Sequence, residues 1–321
     1  MPSARALAAM LPPKLHARLL RKWGHDIAAS ARVGPLTLVD VDHLTLEEGA
    51  RIAPLSRVRG QRVHLAARAS IESLVTITTR RLTLGADASI ARLSIVAGDP
   101  DQETCELTLG DHARVFPFCW IDPGRGVRIG NRAGIGGHTL IFTHGSWSNF
   151  FKGAPVAFGP VCIEDRVWLP WRVFVMPNVT IGADSIIGAG SVVTSSIPKA
   201  SLAAGSPAKV IRQPAYRPLD DAGFDERLDT VLAELRAQEP ELAGRLTIQR
   251  VGAEPVTHGA TVLGRDIADE QARAWVGQGA SVVDLASERA WLTSADKDTP
   301  RLLSWLSRYG VRADHQPEQT E

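Results

Sequence analysis

Cysteine, tyrosine and methionine are scarce in this chain: three, two and three among 321 residues. The odd set Cys105, Cys119 and Cys162 fits neither a disulfide framework nor the spacing of a zinc site or a CxxC redox pair, so buried, reduced thiols are expected. No run of eighteen or more apolar residues occurs, which excludes a helical membrane span. The first twenty residues are weakly apolar and broken by Pro12 and Pro13, a poor signal peptide. Charge of one sign is lacking too. A formal net charge of +1 gives no reason to expect broad nucleic-acid binding. The one basic run, 14-KLHARLLRKWGH-25, reads as an amphipathic helix with a solvated basic face. The region after residue 212 holds no Gly-rich phosphate loop. What remains is a globular chain, 44% apolar and 22% charged.

Its organisation lies in a repeat. Aliphatic residues fall at every sixth position in sets of three: Leu46, Ile52, Val58; Leu65, Ile71, Ile77; Leu84, Ile90, Val96; Leu109, Val115, Ile121; Ile129, Ile135, Ile141; Ile163, Leu169, Val175; Ile181, Ile187, Val193. A period of six is neither helical nor simple strand alternation. It suits a short strand plus a tight corner, with three units returning the chain to its starting side. The sets begin at 46, 65, 84, 109, 129, 163 and 181, so insertions lengthen some coils. Each aliphatic stacks on its counterpart one coil away, and no coil buries its face alone. Glycines scattered through the repeat exclude long amphipathic helices.

The period fails in 139-TLIFTHGSWSNFFKGAPVAFGPVCIED-165, and His144 sits at the failure. Beyond it lies 161-VCIEDRVWLPWRVFVMPNVTIGADSIIGAGSVVTSSIPKASLAAGSPAKVIR-212. The repeat resembles the hexapeptide-repeat, or isoleucine-patch, acyltransferases. The second stretch resembles the last coils of the galactoside, maltose and xenobiotic O-acetyltransferases among them. The resemblance covers roughly residues 30–212. It implies a left-handed parallel β-helix of about seven coils. The flanking residues add an N-terminal capping helix and a small C-terminal α/β domain, so the chain is mainly β.

The resemblance also implies roles. His144 is the general base that takes a proton from an acceptor hydroxyl. Trp168 lies against acetyl-CoA, Ala189 lines the path of its pantetheine arm, Thr194 stands near the nucleotide, and Lys209 and Arg212 form a basic exit for phosphates. The sequence departs from the family where Pro170 and Trp171 replace a glycine and a small residue, and where Ser195 replaces a lysine. Trp171 then narrows the cofactor slot or touches the acceptor, and one phosphate contact is lost. His138 and Asp122 are candidates for binding acceptor hydroxyls, although both positions also suit plain corner or turn residues. Trp147 and Asn149, with Phe150 and Phe151, suit either a sugar face or an adjacent subunit.

The domains expected are a helical cap at 1–30, the β-helix at 31–212, and a helix plus small α/β domain at 213–321. In the last, Phe224, Leu228, Val231, Leu232 and Leu235 share a helical face. Strands are expected at LTIQRV, ATVLG and SVVDL, with Asp284, Glu288 and Asp296 in solvent. The activity implied is acetyl transfer from acetyl-CoA to a hydroxyl of a sugar or glycoconjugate, without a metal, in a cytoplasmic bacterial homotrimer with sites between subunits. Acyl transfer to an amino sugar and a non-catalytic hexapeptide scaffold are the alternatives left open.

Overall fold

A computed structural model describes residues 8–145, 148–252 and 255–315, with residues 314 and 315 described by backbone only. The chain divides into two compact units, 1–217 and 218–321.

The first unit is a three-faced parallel β-helix. One face stacks the strands Arg32–Val33, Arg51–Ile52, Ser70–Ile71, Ser89–Ile90, Arg114–Val115, Gly134–Ile135, Trp168–Leu169 and Ile186–Ile187 in parallel. The other two faces belong to a fourteen-stranded sheet that bends around the barrel. Register follows the period of six: Ile52 pairs with Ile71, Ile71 with Ile90, and Ile121 with Ile141. Every aliphatic of the seven sets is at most 1% exposed. A further coil precedes them, because Ile27, Val33 and Val39 are buried in the same core and Ile27 pairs with Leu46. The helix Pro13–Lys22 buries His16, Ala17 and Leu20, and Arg21 donates from Nε to the Ile27 carbonyl.

Two of the three corners are tight. One carries Leu36, Leu55, Leu74, Leu93, Phe118, His138 and Arg172, the other Arg68, Asp87, His112, Arg132, Arg166 and Asp184, all at positive φ. Left-handed backbone is costly for such side chains, about 1 kcal/mol each. It is held by a rung from each corner to the last: Leu55 N to Pro35 O, His138 N to Pro117 O, Arg132 N to Asp111 O. The glycines before the charged corner have a steric cause. A Cβ on Gly85, Gly110 or Gly130 would collide with the side chain of Asp111, Asn131 or Asp165 from the following coil. Those side chains accept the amide hydrogens of Ala86, Asp111 and Asn131.

The third corner is different. In the early coils it is bridged by two unbroken strands, Leu38–Leu46 and Arg57–Leu65, paired in parallel. In later coils it opens into loops at 98–105, 122–126 and 142–160.

The second unit has a five-stranded sheet in chain order: Ile248–Arg250, Thr261–Gly264, Ser281–Asp284, Arg289–Trp291 and Asp314–His315. The first three strands are parallel, and Arg289–Trp291 runs antiparallel. Helix Asp221–Gln238 buries Leu228, Leu232 and Leu235. The expectation of a solvated Asp284 fails: it is fully buried at a strand end, where it accepts the amides of Ile267, Ala286 and Ser287. Asp296 is also drawn in: burial opposes its ionisation, but hydrogen bonds from the Ser281 and Thr299 side chains and from nearby amides prevail and lower its pKa.

Candidate active site

His144 is placed by register. Ile141 lies on Ile121 of the coil before, so the chain leaves both coils at the same height on the open corner. Two residues later Thr143 is buried, and His144 starts a two-residue strand, His144–Gly145, antiparallel to Ala157–Phe158. Asp122 leaves the earlier coil directly beneath. Its Oδ2 lies 2.6 Å from His144 Nδ1. The same oxygen accepts from Thr143 N at 3.1 Å and Thr143 Oγ1 at 3.0 Å, while Oδ1 accepts from Gly124 N at 3.0 Å. Arg125 N donates to Thr143 Oγ1 at 2.9 Å. The Asp122 side chain is 5% exposed and the imidazole 52%.

The chemical consequence is a fixed tautomer. A carboxylate only accepts, so Nδ1 carries the hydrogen and Nε2 has a free lone pair on the exposed side of the ring. Four donors hold the carboxylate in place, which makes the orientation of the ring a property of two stacked coils. Asp122 therefore occupies the position of orienting partner. It is not free to meet an acceptor hydroxyl, the role expected from the sequence, because both oxygens are engaged internally. The pairing has a signal in the sequence that the reading missed: Ile121 and Ile141 stand in matching places of consecutive coils, so the residues just after them must meet.

The remaining expected residues separate into groups. His138 is on the apolar tight corner, not beside His144. It stacks on Phe118 with ring centroids 4.9 Å apart and leans on Trp171 at 5.9 Å. Trp171 and Ala189 share that corner, for Gly190 N donates to Trp171 O. Trp168 packs edge-on to Phe116 at 5.8 Å, over Gly134, where a Cβ would lie 2.6 Å from the indole. Gly137 is likewise covered by Trp171. The two tryptophans thus cover glycines, and Trp171 is half-exposed on the corner that also carries the exposed Ala189. Thr194, Lys209 and Arg212 are exposed at the last coils, the latter two on the strand Ala208–Arg212. Asn149 spends its carbonyl on its own loop, accepting from Phe151 N. Trp147 lies outside the described residues. Cys105 and Cys119 are buried and all three thiols are free; burial pushes Cys119 up to about 11, which makes it unreactive at neutral pH. Among the described residues, no group of His, Cys, Asp or Glu is arranged to hold a metal ion. No helix among them is long and apolar enough to cross a membrane.

No protein-family model matches the chain. A Schizosaccharomyces pombe protein named "Putative acetyltransferase" is 44% identical over 89 residues, 27% of this chain and 43% of that one. Galactoside O-acetyltransferase of Escherichia coli is 32% identical over 128 residues, 33% of this chain and 63% of the enzyme. Over its repeats the chain is similar to acetyltransferases. Its first unit is a parallel β-helix. Among solved structures, a hexapeptide-repeat acetyltransferase of Vibrio cholerae is 26% identical with a TM-score of 0.36, covering 40% of this chain and 72% of that one. A galactoside acetyltransferase in complex with coenzyme A is 27% identical with a TM-score of 0.37, covering 43% and 70%. The chain spans less than half the length of the first curated relatives it matches.

Proposed function

We propose that this protein is a coenzyme A-dependent O-acetyltransferase that transfers an acetyl group to a hydroxyl of a sugar or glycoconjugate, with His144 as general base. The observation that carries the reading is the 2.6 Å bond from His144 Nδ1 to the buried Asp122. It leaves Nε2 as an outward, oriented base. Nε2 accepts the proton of the acceptor hydroxyl as the oxygen attacks the thioester carbonyl. The Asp122 carboxylate stabilises the imidazolium that forms. When the tetrahedral adduct collapses, the C–S bond breaks and the imidazolium returns the proton to the coenzyme A thiolate.

Acetyl-CoA fits the surface beyond His144. Trp168, Trp171 and Ala189 offer an apolar wall for the pantetheine arm, and Lys209 and Arg212 offer cations for phosphates. The similarity to a galactoside O-acetyltransferase supports a sugar acceptor. A homotrimer would cover exposed apolar surface: Phe150 and Phe151 in the open-corner loop are 63% and 96% exposed, and the leucines of one tight corner are exposed as well. The free thiols and an acetyl-CoA donor agree with a cytoplasmic location. Turnover of acetyl-CoA against a panel of neutral sugars and amino sugars tests the reading. Expected is His144-dependent release of coenzyme A with a hydroxyl acceptor. Turnover unchanged in His144→Ala, or confined to amines, overturns it.

A further inference from the structure

The turn that supplies Asp122 also supplies an arginine that the proposed chemistry does not use. Arg125 is three residues beyond Asp122, and its amide is tied to Thr143 Oγ1, so its backbone is fixed in the same network as the base. Its side chain is exposed. The guanidinium lies over the Phe158 ring, 5.2 Å from the centroid. Phe158 is the residue opposite His144 in the short hairpin. The arginine is thus held beside the base by an element that is itself in register with the base.

The manner of holding matters. A cation–π contact holds the guanidinium by its charge and consumes none of its N–H donors in a hydrogen bond to a neighbour. Several other exposed arginines of this β-helix are fixed by acids, as Arg68 is by Asp87 and Arg81 by Glu106. Among the described residues no carboxylate lies within ion-pairing distance of Arg125. The loop of the previous coil packs on the same turn, with Thr104 Oγ1 donating to Gly124 O at 2.7 Å. It carries Asp99, Asp101 and Glu103, yet none of them pairs with Arg125. A planar fork of donors, oriented and unpaired next to a catalytic base, matches a planar or tetrahedral oxyanion.

We propose that Arg125, seated on Phe158, anchors an anionic group of the acceptor, a carboxylate or phosphate borne by the sugar close to the hydroxyl that is acylated. The proposal rests on the acetyltransferase reading and narrows its substrate to acidic glycans. It makes Arg125 and Phe158 specificity residues, distinct from the cofactor wall formed by Trp168 and Trp171.

The test compares matched acceptors: methyl glucuronoside against methyl glucoside, and glucose 6-phosphate against glucose. The readout is the ratio of kcat/KM, acidic over neutral, within each pair. The wild-type protein favours one acidic member, and which pair shows the preference tells carboxylate from phosphate. Arg125→Gln lowers that ratio at least about tenfold, the worth of a charged hydrogen-bonded pair. Arg125→Lys, which keeps the charge and loses the fork, recovers only part of it, and Phe158→Leu lowers it less. Arg128→Gln, on the next strand, is the control and leaves the ratio unchanged. Equal use of acidic and neutral acceptors by the wild type, or an equal loss on both in Arg125→Gln, overturns the proposal. If no acceptor is turned over, the acetyltransferase reading fails on its own. Saturation-transfer NMR of the same glycosides then decides the anion site: acid-selective binding abolished in Arg125→Gln upholds it, and unselective binding sinks it.

Discussion

The tight corners of the β-helix and its open corner are built from the same coils under opposite rules. At a tight corner each residue is fixed by the coil before it through one backbone rung, and its neighbours are fixed by sterics. Gly130 has no room for a methyl group because Asp165 fills the notch. At the open corner the chain is released from the coil below, and side chains take over the work of joining coils. Asp122 holds Thr143 and His144 there as a peptide rung would hold a corner. The repeat makes a rigid, stacked frame, and chemistry enters where the frame lets go but the register is still exact enough to align two side chains.

The largest effect that separates the two regions is on turnover. His144→Ala is expected to lower kcat/KM by about 10²–10⁴-fold with the thermal midpoint unchanged, since the imidazole is half-exposed and packs on nothing in the core. Asp122→Asn comes next. It removes the negative charge and turns one of the two acceptor oxygens into a donor, so the tautomer is no longer fixed and kcat is expected to fall by more than about tenfold while the KM for acetyl-CoA holds; equal losses in both would make Asp122 merely structural. On the frame, Ile135→Ala is expected to cost about 2–5 kcal/mol in chemical denaturation, because the stacked column cannot close over the gap. The sharpest contrast uses one substitution in two places. Gly130→Ala meets Asp165 and is expected to destabilise by about 1–3 kcal/mol, whereas Gly145→Ala, with no atom near its Cβ, is expected to stay within about 0.5 kcal/mol. Equal effects would erase the distinction between the corners.

The smallest effect concerns pH. Burial lowers the pKa of His16 below its ordinary 6.5. Above 6.5 the group is neutral in the folded and unfolded chain alike. Below it the unfolded chain gains a proton that the folded chain resists, so stability falls as the pH drops from 6.5 toward the lower folded value. A plot of thermal midpoint against pH is expected to be flatter in that window for His16→Leu. A parallel curve would mean that the capping helix opens before the β-helix melts.

The frame was legible because a period of six leaves few alternatives. Leu46 through Val193 were assigned to the core from spacing alone, and each is buried. Ile27, Val33 and Val39 obey the same spacing, but Ile27 falls inside the cap expected at 1–30 and the other two at the edge of the expected β-helix, so their coil is missing from the seven sets. His144 was legible as a break in the period. Its partner was not, because Asp122 followed by Pro-Gly reads locally as a turn, and only the coil-to-coil register brings it under the histidine. Asp284 illustrates the same limit. A strand-end aspartate looks solvated in sequence, and it is buried because three turn amides converge on it. Arg125 gave no sequence signal at all, since its significance comes from Phe158, thirty-odd residues away across the hairpin.

The way the long loop is closed has a consequence for how such a protein could change. The chain departs from the coil at Phe142 and is recaptured at Val161, whose amide donates to Gly126 O, after which Cys162 and Ile163 resume the parallel register. Both ends of the excursion are clamped, since Asp122 holds Thr143 and His144 and Asn178 N donates to Gly159 O, and among the described residues between those clamps none carries a backbone rung to a neighbouring coil. Lengthening or replacing the loop costs only the slow logarithm of its length, about 0.6 kcal/mol per doubling. The open corner is therefore a socket: new acceptor-binding segments can be fitted into it, while the base and its carboxylate stay in the wall of the socket.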